Sequence, residues 1–322
     1  MQTIKMKQQL ELRPKSFDDF VGQKNLIKTL QALIKSSKLQ HKVLPHILFY
    51  GSPGMGKTTL VSLIGNEVKC QIHFIQGANI EKKSDLINVL SVINEGDIVF
   101  IDEIHSINKN VIEFLYSAME DFVFDLIIGV EGNSRPMRMK IKKFTLVGAT
   151  TKINEITQPL KDRFGYIGRL VNYEKEEVCK IIKISAKKLN IDINNDNVDR
   201  IASYSRKTPR IANNLLQRVN DFALSLNNGE INSKIINKTF KYLGLYEFGL
   251  TKDHIEYLEI LKENFYEKYA SLLTISGLIK TDKENIILEI EPILLFYNLI
   301  EKNSRGRRIT TKGIDYILRQ KI

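Results

Sequence analysis

A chain of 322 residues and 37.1 kDa exceeds a single minimal core, so two or three domains are expected. With 43% hydrophobic and 26% charged residues it is composed like an ordinary globular protein, which excludes collagen, a disulfide scaffold and a disordered chain. The net charge of +11 points to a polyanionic partner, although a Lys-, Asn- and Ile-rich composition from AT-rich coding sequence gives the same sign.

The longest apolar runs, such as 293–297, fall far short of the roughly 18 residues that cross a bilayer. The opening MQTIKMKQQLEL carries no apolar signal region. Cys70 and Cys179 stand apart, in no metal or CxxC spacing, and read as inert thiols of a reducing compartment. A cytoplasmic protein with no membrane segment is expected.

The first half alternates two signals. A short apolar run at 46–50 (HILFY) ends in glycine, and Leu60, Val61, Ile64 and Val68 then mark a helix buried on one side. Strands follow at 72–75, 98–101 and 144–148, with helices at 86–93 and 111–119 between them. The strand at 98–101 is apolar on both faces, as in a parallel sheet covered on both sides. This alternation predicts a doubly wound α/β sheet. Beyond about residue 173 the strand signal disappears. Helices are predicted near 178–185, 198–202, 211–222 and 235–243, before the glycines of GLYEFGL (244–250) mark a boundary. The last seventy residues predict helices at 253–264, around Ser271 and at 285–299, then a β-hairpin at SRGRR (304–308), the layout of a winged helix. The charge there is polarised. Lys302, Arg305, Arg307, Arg308, Lys312, Arg319 and Lys321 face a single acid, Asp315, after 301, whereas the preceding part of the domain is net acidic. Lys302, Arg305 and Arg307 flank a tight turn at Gly306 and are expected to splay around a duplex backbone.

The sharpest motif is GSPGMGKT (51–58), which matches G-x-x-x-x-G-K-[ST] between a strand and a helix. Gly51, Gly54 and Gly56 let successive backbone N–H groups face one concavity, and the helix adds its positive end. Lys57 is expected at the β- and γ-phosphates and Thr58 at Mg²⁺. A P-loop needs a carboxylate on a neighbouring strand, and GDIVFIDEIH (96–105) delivers Asp102 and Glu103 to the carboxyl edge. Asp102 would orient the metal's water shell and Glu103 would polarise the attacking water, the pairing that separates an ATPase from a nucleotide binder. His105 reads as a packing or capping residue and receives no role.

Together LRPKSFDDFVGQ (12–23), GSPGMGKTTL (51–60), FIDEIH (100–105), SAMEDF (117–122), FTLVGATT (144–151), PLKDRFG (159–165) and TPRIANNLL (208–216) resemble the RuvB family of AAA+ ATPases. Its bacterial members drive Holliday-junction branch migration. The resemblance is collinear from Leu12 to Thr311. It implies an AAA+ P-loop sheet (1–173), a small helical lid (174–246) and a winged-helix DNA-binding domain (247–322). It also implies ATP and Mg²⁺ as ligands, double-stranded DNA and the Holliday junction as substrate, a RuvA-like junction-binding partner and a homo-hexameric ring.

Residue by residue, Leu12 and Arg13 resemble the pair that brackets the base, and Thr59 the second hydroxyl at the phosphates. Glu120, Asp121 and Phe122 occupy a nucleotide-contacting position, and Tyr173 the lid-junction tyrosine. Thr151, with Thr150 as the alternative, resembles sensor 1, and Arg163 the arginine finger; its rival reading is a surface arginine paired with Asp162. Thr208 and Pro209 are good N-cap and first-turn residues, which places Arg210 against the helix dipole. A cation is disfavoured there unless it faces a phosphate, as sensor 2 does; the rival is a solvated arginine. The hairpin at 122–141 is read as the RuvA-docking element, because Phe122, Phe124, Leu126, Ile127 and Ile128 are unusually apolar; a strand pair packed on its own domain is the rival.

The chain departs from the family in three places. GTPR becomes KTPR through Lys207, RTPRGR becomes KNSRGR through Lys302, and a glycine-rich stretch becomes YEKYASLL (266–273). A clamp-loader-like or initiator-like AAA+ ATPase, or a nucleotide-gated DNA-binding regulator, are the rival readings. DRFG and the basic turn speak against the first two, and Glu103 with Arg163 against the third.

Overall fold

The computed structural model describes residues 12–128, 135–266 and 268–320, which form two compact units. The first runs through Ile181 and includes Thr208–Arg210; the second comprises Ile182–Lys207 and the chain from Ile211 onward.

The first unit is built on strands β1 (Ile47–Tyr50), β2 (Ile72–Gln76), β3 (Ile98–Asp102), β6 (Thr145–Thr150) and β7 (Tyr166–Arg169), with the hairpin β4 (Val123–Ile128) and β5 (Arg135–Lys140) inserted between β3 and β6. The five strands pair in parallel in the order β2-β3-β6-β1-β7. Leu48, Phe49, Val99, Ile101, Leu146 and Val147 are fully buried, because helices cover both faces of the central strands. β6 extends to Thr150, two residues beyond the apolar run, since Thr150 pairs in register with Tyr50 of β1. The helices Lys24–Gln40 and Gln158–Asp162 and the strand β7 lie outside the sequence reading. The helix Lys24–Gln40 buries Leu26, Ile27, Leu30 and Ile34, a spacing that was visible in the sequence. The edge strand β7 was not visible, since YIGR carries no alternation and is held by backbone pairing with β1.

The hairpin forms, but part of its apolar character is spent on its own unit. Phe124 is fully buried and stacks on Phe114 at 4.5 Å, and Phe122 packs against Phe144. Its tip, 129–134, and the side chains of Leu126, Ile127 and Ile128 lie outside the described residues.

In the second unit, the helix Asn195–Ser203, the helix Pro209–Leu226 from Ile211 onward and the helix Ser233–Tyr242 precede the winged helix. Helix Lys252–Ile260 continues as a π-helical turn, Leu261–Phe265, into Tyr266 at φ 44°. The helix expected at 285–299 is likewise interrupted by a π turn, Ile286–Ile290, before Glu291–Phe296. The wing is the antiparallel pair β8 (Ile300–Asn303) and β9 (Gly306–Ile309), and an Ala270–Arg307 bridge ties β9 to the segment before the helix Leu272–Ile279. A Cβ on Gly306 would lie 2.2 Å from the Ala270 carbonyl oxygen, so this turn requires glycine. An unforeseen helix, Thr311–Gln320, closes the domain through Tyr316 and Ile317.

Arg206 and Lys207 both adopt left-handed φ values, 52° and 53°. That explains why glycine suits the second position; here the Lys207 ammonium lies 5.8 Å above the Phe296 ring. Arg206 Nε donates to the Gly249 carbonyl at 2.8 Å.

Candidate functional site

The P-loop curls between β1 and the helix Lys57–Val68, with Gly54 at φ 79° and Gly56 at φ 104°. A Cβ on Gly54 would come within 2.9 Å of Thr208 Cγ2 and 3.0 Å of Arg210 Cβ, so the missing side chain is what admits Arg210 to the loop. Lys57 is buried and its Nζ donates to the carbonyls of Gly51 at 2.7 Å and Ser52 at 3.2 Å. Burial lowers its pKa, Glu103 and Asp102 oppose that, and Arg210 lowers it further. Arg13 is likewise lowered, first by burial and then by Arg210. Three cations therefore share one field beside a loop of backbone N–H groups, an arrangement that fits a polyphosphate. Thr58 and Thr59 follow in the first helical turn, both part-buried, with Asp102 at the end of β3; hydroxyl and carboxylate oxygens suit Mg²⁺.

Glu103 leaves β3 in the left-handed region, φ 49° and ψ 50°. Its N–H donates to Asp102 Oδ1 at 3.1 Å, and its carbonyl accepts the Ser106 hydroxyl at 2.7 Å. Its Oε2 accepts both the N–H and the hydroxyl of Thr151, each at 3.1 Å. Thr151, the favoured sensor 1 residue, thus meets the carboxylate directly. Thr150 is fully buried and its Oγ1 is hydrogen-bonded with His105 Nδ1 at 3.0 Å. His105 Nδ1 also stands 3.2 Å from Glu103 Oε2, which places in the site a residue the sequence reading left without a role.

Tyr173 closes the other side. Its hydroxyl donates to the Met55 carbonyl at 3.1 Å, and its ring would meet a Cβ on Gly22 at 2.8 Å. Burial pushes its pKa up. Leu12 is buried and Arg13 part-buried at the start of the described chain.

Glu120, Asp121, Phe122 and Arg163 are not brought to this cleft. Phe122 packs on His46 and Phe144, the residues just before β1 and β6, and therefore lies at the amino edge of the sheet. The P-loop follows the carboxyl end of β1, four residues or about 13 Å away. His46 ties this edge together, accepting the Leu146 N–H on Nδ1 and donating from Nε2 to the Met119 carbonyl. Arg163 lies three residues before β7, on the same edge. Its Nη2 pairs with Glu120 Oε2 at 3.1 Å, Nη1 donates to the Pro159 carbonyl at 2.7 Å, and the guanidinium lies 4.3 Å from the Tyr116 ring centre. The partner is Glu120 and not Asp162, which accepts from Gln158 instead.

The wing corrects a further expectation. Arg307 does not splay outward. Its Nε donates to Glu291 Oε1 at 2.6 Å, and its side chain is 12% exposed against 1% for Glu291. Lys302, the cross-strand neighbour of Arg307, pairs with Glu291 Oε2 at 3.0 Å, and Tyr257 donates to Oε1 at 3.1 Å. Burial alone would raise the Glu291 carboxyl, but the hydrogen bonds from Arg307 and Lys302 outweigh it and hold the pKa below the usual range. Arg308 pairs with Glu301 and lies over Tyr269. Arg305 is exposed, with its N–H on Asn303 Oδ1. The cancellation arises because the buried acid sits on the helix Glu291–Phe296, out of register with any pattern in the hairpin itself.

Family models match residues 12–318 in three consecutive parts. The Holliday junction DNA helicase RuvB P-loop domain covers 12–170, the RuvB AAA lid domain 173–245 and the RuvB C-terminal winged helix domain 247–318. The chain is 64% identical over 310 residues to the Holliday junction branch migration complex subunit RuvB of Mycoplasmopsis synoviae, covering 96% of this chain and 98% of that one. It is 50% identical over 314 residues to that of Mycoplasmopsis pulmonis, covering 98% and 100%. Among solved structures, the Thermotoga maritima RuvB Holliday junction branch migration motor superposes with a TM-score of 0.80 at 35% identity, covering 96% of this chain and 98% of that chain. The chain belongs to the RuvB family.

Proposed function

We propose that this protein is the ATP-hydrolysing motor subunit that drives Holliday-junction branch migration on double-stranded DNA, working with a RuvA-like junction-binding partner as a homo-hexameric ring in the cytoplasm. The observation that carries this reading is the separation of Arg163 from Lys57 and Glu103 by the length of the sheet. That separation supports a reading in which each chain holds half of two sites and Arg163 serves a neighbouring copy. The parts are an ATPase domain (1–173), a lid (174–246) and a winged helix (247–322), in keeping with the three family matches. No helix among the described residues is long and apolar enough to cross a membrane.

In the cleft, Leu12 and Arg13 bracket the base, with Tyr173 fixing the wall behind the P-loop. Gly54 and the loop N–H groups cradle the phosphates, Lys57 reaches the β- and γ-phosphates, and Thr59 adds a hydroxyl. Thr58 and Asp102 would hold Mg²⁺, which when bound draws charge from the phosphates. Glu103 takes the proton of the attacking water while Thr151 holds its carboxylate, and Arg210 reports on the γ-phosphate. Arg163, with Glu120, Asp121 and Phe122 beside it, faces the neighbour's nucleotide and stabilises the transition-state charge there. Arg305, exposed at the turn of the wing, meets duplex phosphates. Such contacts are sequence-blind, as a motor moving over any sequence requires.

The test is branch migration on a synthetic four-way junction. ATP-dependent migration, stimulated by added RuvA-like partner, is the expected result. Intact DNA-stimulated ATPase with no migration in the presence of the partner would favour a clamp-loader-like or switch role instead.

A further inference from the structure

We propose, on the reading of Glu103 as the base, that His105 is a positioning residue for hydrolysis: it holds one carboxylate oxygen of Glu103 so that the other faces the water. His105 lies in the short 3-10 turn Ile104–Ser106, directly after the strained Glu103 backbone, and its side chain is 12% exposed. It spans the carboxyl ends of two strands. Nδ1 is hydrogen-bonded with Thr150 Oγ1 of β6 at 3.0 Å and stands 3.2 Å from Oε2 of Glu103, which follows β3.

The proton belongs on Nδ1. Without it, a nitrogen lone pair would face a carboxylate oxygen at 3.2 Å, a repulsive contact in a part-buried site. Thr150 Oγ1 already accepts the Lys152 N–H at 2.9 Å, which anchors the hydroxyl that anchors the ring. Oε2 of Glu103 therefore accepts two hydrogen bonds, from the N–H and hydroxyl of Thr151, and has the Nδ1 edge of His105 as an electrostatic contact at 3.2 Å. Among the described residues no donor reaches Oε1. A carboxylate held through Oε2 cannot turn without losing those contacts, so Oε1 is the oxygen left to meet the water.

The backbone below is equally constrained. The Glu103 carbonyl accepts from Ser106, and a Cβ on Gly77 would sit 2.4 Å from it. With the main chain of Glu103 locked, the freedom left lies in the side chain, and that is what His105 and Thr151 restrict.

The experiment compares His105→Ala, His105→Asn, His105→Gln, Thr150→Val and Glu103→Gln in the full-length chain, by steady-state ATPase with saturating duplex DNA and by affinity for a fluorescent ATP analogue. His105→Ala should lower kcat about tenfold, a share of the roughly 10²–10⁴-fold that a positioned base supplies, with nucleotide affinity unchanged. His105→Asn should recover most of the loss, because its Nδ2 reproduces the position of Nδ1, whereas His105→Gln should not. Thr150→Val, which frees the ring, should lower kcat in the same direction. Wild-type kcat in His105→Ala, with Glu103→Gln inactive, overturns the role of His105 and leaves Glu103 as base. Equal loss in the Asn and Gln variants, with a lowered Tm, overturns it in favour of plain packing. Near-normal turnover in Glu103→Gln removes the base reading and this one with it. If His105→Ala does not fold, the Asn–Gln contrast and Thr150→Val decide.

Discussion

Arg307 and Glu291, sixteen residues apart, form the central ion pair of the winged helix: the guanidinium of the wing reaches inward at 2.6 Å to a carboxylate that is 1% exposed. A residue that looked like a phosphate contact is committed to the domain's interior, while Arg305 at the same turn is exposed.

The two arginines should therefore separate by experiment. Arg307→Ala leaves a buried carboxylate short of its main partner and should destabilise the domain by about 3 kcal/mol, read as a fall in Tm. Arg305→Ala should leave Tm unchanged, weaken all duplexes alike and flatten the slope of log K against log salt by about 0.9. An Arg305→Ala protein with an unaltered salt slope would move the DNA site away from the wing.

The finger should act in trans. Arg163→Ala is expected to cost about 10³-fold in turnover, as in related NTPases. Mixing Arg163→Ala with Lys57→Ala subunits should restore part of the activity, since some interfaces then contain one intact site. Glu120→Ala, which removes the pair that orients Arg163, should give a smaller loss of the same kind. Assembled mixtures that stay inactive at every ratio would rule out a shared site.

Gly54→Ala should lower nucleotide affinity rather than stability of the sheet. The new Cβ would strain a φ of 79° and press on Thr208 and Arg210, displacing the cation on that side of the P-loop. Titration with an ATP analogue checks this, and unchanged affinity would show that the loop relaxes around the methyl group.

His254 gives the winged helix a pH dependence. It is buried, and its Nδ1 accepts the Thr251 N–H at 3.2 Å as part of a capping box. Burial, with help from Arg206, lowers its pKa from 6.5 to about 4. Between those values the unfolded chain binds more protons than the folded one, so stability is full above about pH 6.5 and falls as the pH drops toward 4. His254→Gln keeps a capping acceptor but does not titrate, and its Tm should be less sensitive across that window. Equal slopes for both proteins would assign the acid sensitivity to other groups.

The sequence alone determined what contiguous residues decide. The P-loop, the Asp102–Glu103 pair at a strand end, the alternation of strands and helices, the Pro209 helix start and the Gly306 turn are each local: a few neighbouring residues fix a backbone path, and the path fixes the chemistry. The lack of a Cβ at Gly54 belongs to the same class, although what it makes room for does not. Tertiary structure decided every relationship between distant segments. The parallel register set Phe122 and Arg163 at the edge opposite the P-loop, apart from Lys57 and Glu103 of the same chain. A helix outside the hairpin brought Glu291 beneath Arg307 and reversed the direction of that side chain. The side-by-side ends of β3 and β6 placed His105 between Thr150 and Glu103, a contact no spacing announces. Charge and hydrogen bonding act over a few ångströms in space, and only the fold decides which residues those are.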